Sequence, residues 1–180
     1  MKDQPFVGWG LAVALCASLT AAARLDGTEE QSRQLYGEPL TPGADQFANQ
    51  PVLAGAVNRT YTHRGWWVRS AFVAGKAVRL TYTKMDHKGG CTALAEDELQ
   101  LVLAGEAGRG QWRERAPGPG VEQGPAVLRI QAREFVNTNG NRARLEVGHT
   151  VVLVETSTAA ALEQRALAGA RRAKAPRPKA

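Results

Sequence analysis

The sequence predicts an α+β fold in which helices pack on one face of an antiparallel sheet, giving two layers. The first observation is that apolar and polar residues alternate in three runs between residues 56 and 84, with short turns between the runs. This pattern is typical of an antiparallel β-meander. The second observation is that segments with helix start and stop signals precede and follow the runs. Helices segregated from an antiparallel sheet in this way define an α+β domain.

The first helix is predicted over residues 25–36. Asp26 or Thr28 can cap its free N–H groups, and Gly37 ends it. Residues 37–55 are interrupted by prolines and glycines, so a poorly ordered connection is expected there.

The three strands of the meander are predicted within residues 56–84, with turns at 63–65 and 74–76. Because successive side chains of a strand point to opposite faces, one set is expected to be buried and the other to face outward. The expected buried set is Trp66, Val68, Phe72, Val78, Leu80 and Tyr82. The expected outward set is Trp67, Arg69, Arg79 and Thr81.

The second half of the chain predicts a helix, two or three more strands and a last helix. The helix is indicated by the acidic residues 96–98 in its first turn and by apolar residues at helical spacing, namely Leu94, Leu99, Val102 and Leu103. A surface loop is expected at 116–120 and a turn at 137–140. Strands are expected at 126–132, around 143–147 and at 150–155. The last helix is predicted over 159–170, with Ser157 or Thr158 as its cap.

Residues 1–23 are predicted to be an export signal. An uncharged run from Phe6 ends in Ala21-Ala22-Ala23, which supplies a small-residue cleavage site. The protein is therefore expected to be periplasmic or secreted. An uncleaved membrane anchor is the alternative, because the run is close to the minimum length of a membrane-spanning helix.

The formal net charge of +6 comes from the C-terminal end of the chain. Residues 165–180 hold six basic and no acidic side chains, whereas residues 24–164 are formally neutral. The last ten positions, 171–180, are predicted to be a disordered basic tail. The tail could be inert or could attract an anionic envelope surface. Export disfavours a nucleic-acid partner.

Residues 24–170 are predicted to form a single domain. A loose internal repeat leaves open a weak division into two lobes, 24–92 and 93–170.

Three segments carry a resemblance to known proteins: Tyr36-Gly37-Glu38-Pro39, the hairpin at 72–84, and the helix start at 94–99 followed by Trp112. Together they resemble a pattern in small exported bacterial proteins of unknown function. The order of a helix before a meander is also similar to that of the SmpA/BamE envelope proteins and of the β-lactamase inhibitor protein fold. The resemblance implies a two-layer α+β domain that binds proteins and has no enzymatic activity.

Reactive side chains cluster at one place, Asp86-His87-Lys88-Gly89-Gly90-Cys91. Cys91 and His87 could act as a nucleophile and its base, with Asp86 orienting the histidine. The simpler interpretation is an exposed glycine-rich turn, since the sequence offers no matching oxyanion site. The chain is therefore predicted not to be an enzyme, with a small secreted thiol hydrolase as the alternative.

No metal or cofactor site is predicted. The possible soft ligands are His63, His87, His149 and Cys91, and none of them pairs at the short spacing typical of zinc sites. The glycines of residues 108–124 do not lie between a predicted strand and the start of a predicted helix. They therefore lack the geometry of a phosphate-binding loop.

The candidate partner-binding residues are Trp67, Arg69 and Arg79. An exposed tryptophan among arginines is a typical contact hot spot. The alternative is that Trp67 is covered by residues 37–55 or by the last helix. The predicted function is an exported binding or envelope-associated module for an unknown protein or an anionic envelope surface. Contact with a membrane is expected only through an uncleaved signal or the basic tail, and a membrane-anchored structural domain is a further alternative.

Overall fold

The computed structural model describes residues 25–116, 132–146 and 148–174. In chain order its elements are α1 (Glu29–Tyr36), β1 (Val57–His63), β2 (Trp66–Val73), β3 (Lys76–Lys84), α2 (Glu96–Glu106), β4 (Trp112–Arg115), β5 (Arg133–Asn137), β6 (Arg142–Leu145), β7 (Val151–Glu155) and α3 (Ser157–Lys174). The strands form one antiparallel sheet of seven strands in the order β1-β2-β3-β7-β6-β5-β4. The predicted α+β class is confirmed.

The first meander has the strands and turns that the sequence predicts. His63 pairs with Trp66, and Val73 pairs with Lys76, so a two-residue turn closes each hairpin. Both turns place two successive residues at positive φ, with values of 49° and 81° at Arg64-Gly65 and of 49° and 75° at Ala74-Gly75. This backbone twist matches that of the flanking strands, which is why glycine recurs at the second position.

Strands β4 to β7 form a second meander, which joins the first one through pairing of β7 with β3. Strands β6 and β7 lie where strands were expected, and the turn predicted at 137–140 connects β5 to β6. Strand β4 was not predicted from the sequence. The strand expected at 126–132 falls almost wholly outside the described residues, and β5 begins after it, at Arg133.

The helices begin with different caps. Helix α1 begins at Glu29, four residues later than predicted, and its cap is Thr28, one of the two candidates, whose hydroxyl accepts from the backbone N–H of Gln31. The predicted cap of α3 is wrong, because the hydroxyl that accepts from the N–H of Ala159 belongs to Thr156. A backbone bond from Thr156 to Val78 holds the chain against β3 at this position. Helix α3 continues to Lys174, four residues into the segment expected to be the tail.

The larger core lies between one face of the sheet and helices α1 and α2. Its buried members are Leu25, Tyr61, Val68, Leu80, Tyr82, Leu94, Leu99, Leu103, Phe135, Ala143, Leu145, Val152 and Val154. They come from both meanders, so this larger core is continuous along one face of the sheet.

The expectation that all helices share one face of the sheet is not confirmed. Leu80 enters the larger core, whereas Arg79 points to the opposite face and hydrogen-bonds Glu163 of α3. A smaller core of Leu53, Ala71, Val78 and Ala159 lies on this second face.

Val78 was expected beside Leu80, and this prediction is wrong. The pairing of β2 with β3 shifts register between Ala71 and Phe72, so Ala71 pairs with Arg79 and Phe72 with Ala77. Such a bulge interrupts the alternation of faces. Val78 therefore packs with Ala71 and Ala159 of the smaller core.

Residues 37–55, expected to be poorly ordered, form a series of hydrogen-bonded turns over this second face. The predicted signal at 1–23, most of the loop at 116–120 and the end of the tail at 175–180 lie outside the described residues. In the part of the chain that is described, no helix has the length and apolar character needed to cross a membrane.

Candidate functional site

The structure places Trp67 and Arg69 beneath residues 45–50. The rings of Trp67 and Phe47 meet edge to face with their centroids 4.7 Å apart. The guanidinium of Arg69 lies 4.4 Å from the centroid of the Phe47 ring and donates to the carbonyl oxygen of Gln50. Both side chains are half-buried, and burial lowers the pKa of Arg69. Trp67 is therefore covered by part of residues 37–55, which was the alternative to an exposed contact residue.

Arg79 lies on the outward face of the meander, as expected, but it is not exposed. Only 5% of its side chain is accessible. Its Nε donates to Glu155 at 3.0 Å, its Nη2 to Glu163 at 2.7 Å and its Nη1 to the carbonyl oxygen of Val52 at 3.2 Å. Burial favours a lower pKa for Arg79, but the hydrogen bonds with Glu163 and Glu155 outweigh it and raise the pKa.

A groove of about 160 Å³ continues from this ion cluster along the same face of the sheet. One end is formed by Arg79 with Glu155 of β7 and Glu163 of α3. The other end is formed by the outward side chains of β4, β5 and β6, among them Arg115, Glu134, Val136, Arg142 and Arg144. The end beside α3 has two carboxylates for one arginine. At the end formed by β4, β5 and β6, three arginines surround one glutamate.

The register of β4, β5 and β6 arranges these outward side chains in two rows. Arg113 and Arg142 flank Val136 in one row. Arg115 and Arg144 flank Glu134 in the other. All four arginines are exposed, and so is Val136. We call this surface the arginine face and define it by these four arginines together with Val136 and Glu134.

The arginine face carries an excess of positive charge, with four arginines around the one carboxylate of Glu134. Arg144 pairs with Glu146 at 3.2 Å. Among the described residues, Arg113, Arg115 and Arg142 have no ion pair within 4.0 Å. Exposed guanidinium groups without a protein partner are free to contact an anionic group.

The opposite face of the same strands is compensated. Arg133 of β5 lies between Glu96, at 2.6 Å, and Glu114, at 2.7 Å. The hydrogen bonds from Arg133 lower the pKa of both carboxyl groups. The excess of positive charge is therefore a property of the arginine face and not of β4–β6 as a whole.

Sequence reasoning missed this surface. The signal that could have found it is the spacing of arginines at positions 113 and 115 and at positions 142 and 144. Residues two apart on a strand share a face. The spacing becomes informative only once both segments are recognised as strands.

The segment from Asp86 to Cys91 is an exposed turn. The carboxylate of Asp86 accepts from the backbone N–H groups of Lys88, at 2.8 Å, and Gly90, at 2.7 Å. Cys91 forms an isolated β-bridge with Met85, and its side chain is exposed. No hydrogen bond within the described part of the chain joins Cys91 to His87. Asp86 thus organises the backbone of the turn and does not orient the histidine.

We expect that Cys91 reacts with a thiol-alkylating reagent in the folded protein at the same rate when His87 is replaced by alanine. The side chain is exposed, and the thiolate is the form that reacts. The measurement is a labelling time course near neutral pH, with His63→Ala as the matched control. A large drop in rate for His87→Ala alone would show that the histidine activates the thiol.

A second buried polar cluster ties α2 to the sheet. The hydroxyl of Tyr82 donates to Glu106 at 2.6 Å, and the backbone N–H of Leu25 donates to the other carboxylate oxygen at 2.9 Å. Burial raises the pKa of Tyr82 well above its ordinary value. Because both residues are buried within the core, we assign the cluster a structural role.

Across residues 25–116, 132–146 and 148–174, no group of three or more His, Cys, Asp or Glu side chains is placed to hold a metal ion. Comparison with known proteins gives no relative: no family model, no curated protein and no solved structure matches the chain.

Proposed function

We propose that this chain is an exported, non-enzymatic binding module that contacts an anionic partner through its arginine face. The observation that carries the proposal is the pair of arginine rows on an exposed sheet face, in which three of the four guanidinium groups have no ion pair among the described residues. A concentration of one sign of charge beside a groove attracts ligands of the opposite sign.

The proposal moves the contact surface away from Trp67, Arg69 and Arg79. A hot-spot residue must be accessible to the partner. Phe47 covers Trp67 and Arg69, and α3 covers Arg79. The arginine face belongs to the same side of the sheet and has no such cover from the described residues.

A non-enzymatic role is favoured by the state of the carboxylates in the groove. Glu155 and Glu163 are both hydrogen-bonded to Arg79, and this contact lowers the pKa of Glu163. A general base acts best with a pKa near the working pH, so a carboxylate held in this way is a poor one. Export is supported by the signal-like residues 1–23.

The test is retention on immobilised dextran sulfate. We expect that the double substitution Arg113→Gln with Arg142→Gln elutes at a clearly lower salt concentration than the unmodified chain. At about 1 kcal/mol for each basic residue near an anionic surface, the loss of two arginines should lower the affinity roughly thirtyfold.

The matched control is Arg64→Gln with Lys88→Gln, which removes the same charge from exposed turns elsewhere. It should elute close to the unmodified chain. An equal shift for the two double variants would mean that retention reflects net charge alone, and the proposal would then be wrong.

A further inference from the structure

We infer that the arginine face binds an extended acidic polypeptide segment whose carboxylates recur at every second residue. The inference rests on the proposed function and names the chemistry of the partner at the same site. It follows from the spacing of the arginines, from the residues between them and from the wall of the groove.

The spacing of the arginines matches an extended chain. Arg113 and Arg115 lie two residues apart on β4, as do Arg142 and Arg144 on β6. Two residues of an antiparallel strand span about 7 Å. Side chains on one side of an extended ligand repeat at the same distance. A segment with acidic residues at positions i and i+2 can therefore place one carboxylate on each arginine of a pair.

The residues between the arginines favour one narrow ligand. Adjacent strands are about 4.8 Å apart, so the two arginine pairs are separated by roughly 10 Å across β5. Val136 lies in the middle of the first row and is 36% exposed, which provides an apolar contact. Glu134 lies in the middle of the second row and repels a carboxylate placed directly above it.

The groove wall disfavours a planar anionic surface. Glu163 of α3, with a side chain that is 51% exposed, lines the groove together with Glu155 and Glu134. A flat bilayer of anionic headgroups would approach these carboxylates as well as the arginines. A single extended chain can follow one arginine pair and avoid them, so charge complementarity favours a polypeptide segment.

The test compares two peptides of equal composition with the full chain. One peptide alternates glutamate and serine. The other repeats Glu-Glu-Ser-Ser, which has the same composition but no two glutamates that lie two residues apart. Binding is measured by fluorescence anisotropy of the labelled peptide. We expect the alternating peptide to bind about tenfold more tightly than the Glu-Glu-Ser-Ser peptide, because only the alternating one can place a carboxylate on both arginines of a pair. We also expect it to lose about tenfold in affinity with Arg113→Gln/Arg142→Gln, but not with Arg64→Gln/Lys88→Gln.

A salt titration of the unmodified chain provides a readout that needs no variant. The affinity for the alternating peptide should fall steeply with ionic strength, because exposed charges are screened. Binding that is insensitive to salt would overturn the inference.

The other outcomes separate this inference from the proposed function. Equal affinity for the two peptides would overturn the inference, and so would binding only to vesicles containing phosphatidylglycerol. In both cases retention on dextran sulfate would remain, with its loss in the Arg113→Gln/Arg142→Gln variant. Absence of binding to both peptides, to the vesicles and to dextran sulfate would overturn the inference and the proposed function together.

Discussion

Replacing Arg79 with methionine should lower the free energy of unfolding by about 3–5 kcal/mol, the cost typical of breaking a buried ion pair. Methionine keeps the apolar stem but removes the charge that holds two carboxylates. Glu155, with a side chain that is 14% exposed, would be left buried without its partner. The carbonyl oxygen of Val52 would lose a donor as well. The measurement is denaturant unfolding of the variant and of the unmodified chain.

Two further substitutions test the electrostatic cause. Arg33→Met removes exposed ion pairs with Glu30 and Glu38. The side chain of Arg33 is 41% accessible and those of the glutamates are 61% and 78% accessible, so the loss should cost at most about 1 kcal/mol. Adding Glu155→Gln to Arg79→Met should recover part of the lost stability, because the uncompensated charge disappears. If Arg79→Met costs no more than Arg33→Met, the ion cluster does not hold α3 on the sheet.

The pH dependence of stability gives an independent check on the same contact. The hydrogen bond from Arg79 lowers the pKa of Glu163 in the folded chain. The stability that this contact adds to the folded state is therefore present above the unfolded pKa of Glu163. It is lost as the pH falls through the lowered pKa of the folded state. The Arg79→Met variant should lack this part of the acid-side loss of stability.

The first meander could be predicted because its signals are local. Two-residue turns containing Gly65 and Gly75 separate three alternating runs, and each run has the residues that strands favour. The α1 helix could be predicted for the same reason, because Thr28 and Gly37 mark its ends within the sequence.

The surroundings of Arg79 could not be predicted from local signals. Alternation assigns it correctly to the face opposite Leu80, but alternation says nothing about what covers that face. The cover comes from Glu163, 84 positions later in the chain. The bulge beside Ala71 is also set by the pairing of two strands and not by either strand alone.

The candidate site was missed because its strands are short. Strand β4 has four residues, three of them charged, and β5 has five. Neither length nor composition separates such segments from a solvated loop. The arginines were therefore counted as part of a neutral body, although the strand register places four of them on one face.

Gly110→Ala is the second substitution with a large expected effect, a loss of about 2–4 kcal/mol in the free energy of unfolding. A Cβ atom at this position would lie 1.9 Å from Oδ1 of Asn137, far inside contact distance. The Asn137 side chain cannot move aside cheaply. It is buried, its Nδ2 donates to the carbonyl oxygen of Ala107 at 3.1 Å, and its Oδ1 accepts from the N–H of Asn139 at 2.9 Å.

Gly105→Ala is the matched control, because a Cβ atom there meets nothing within 4 Å. Gly105 lies within α2, where alanine is the better helix former, so this variant should gain about 0.5–1 kcal/mol. Denaturant unfolding of both variants measures the contrast. In a chain that already carries Asn137→Ala, the additional cost of Gly110→Ala should shrink sharply, since the crowding atoms are gone. A cost that stays the same in that background would mean that the loop at residues 107–111, and not its contact with Asn137, makes glycine necessary.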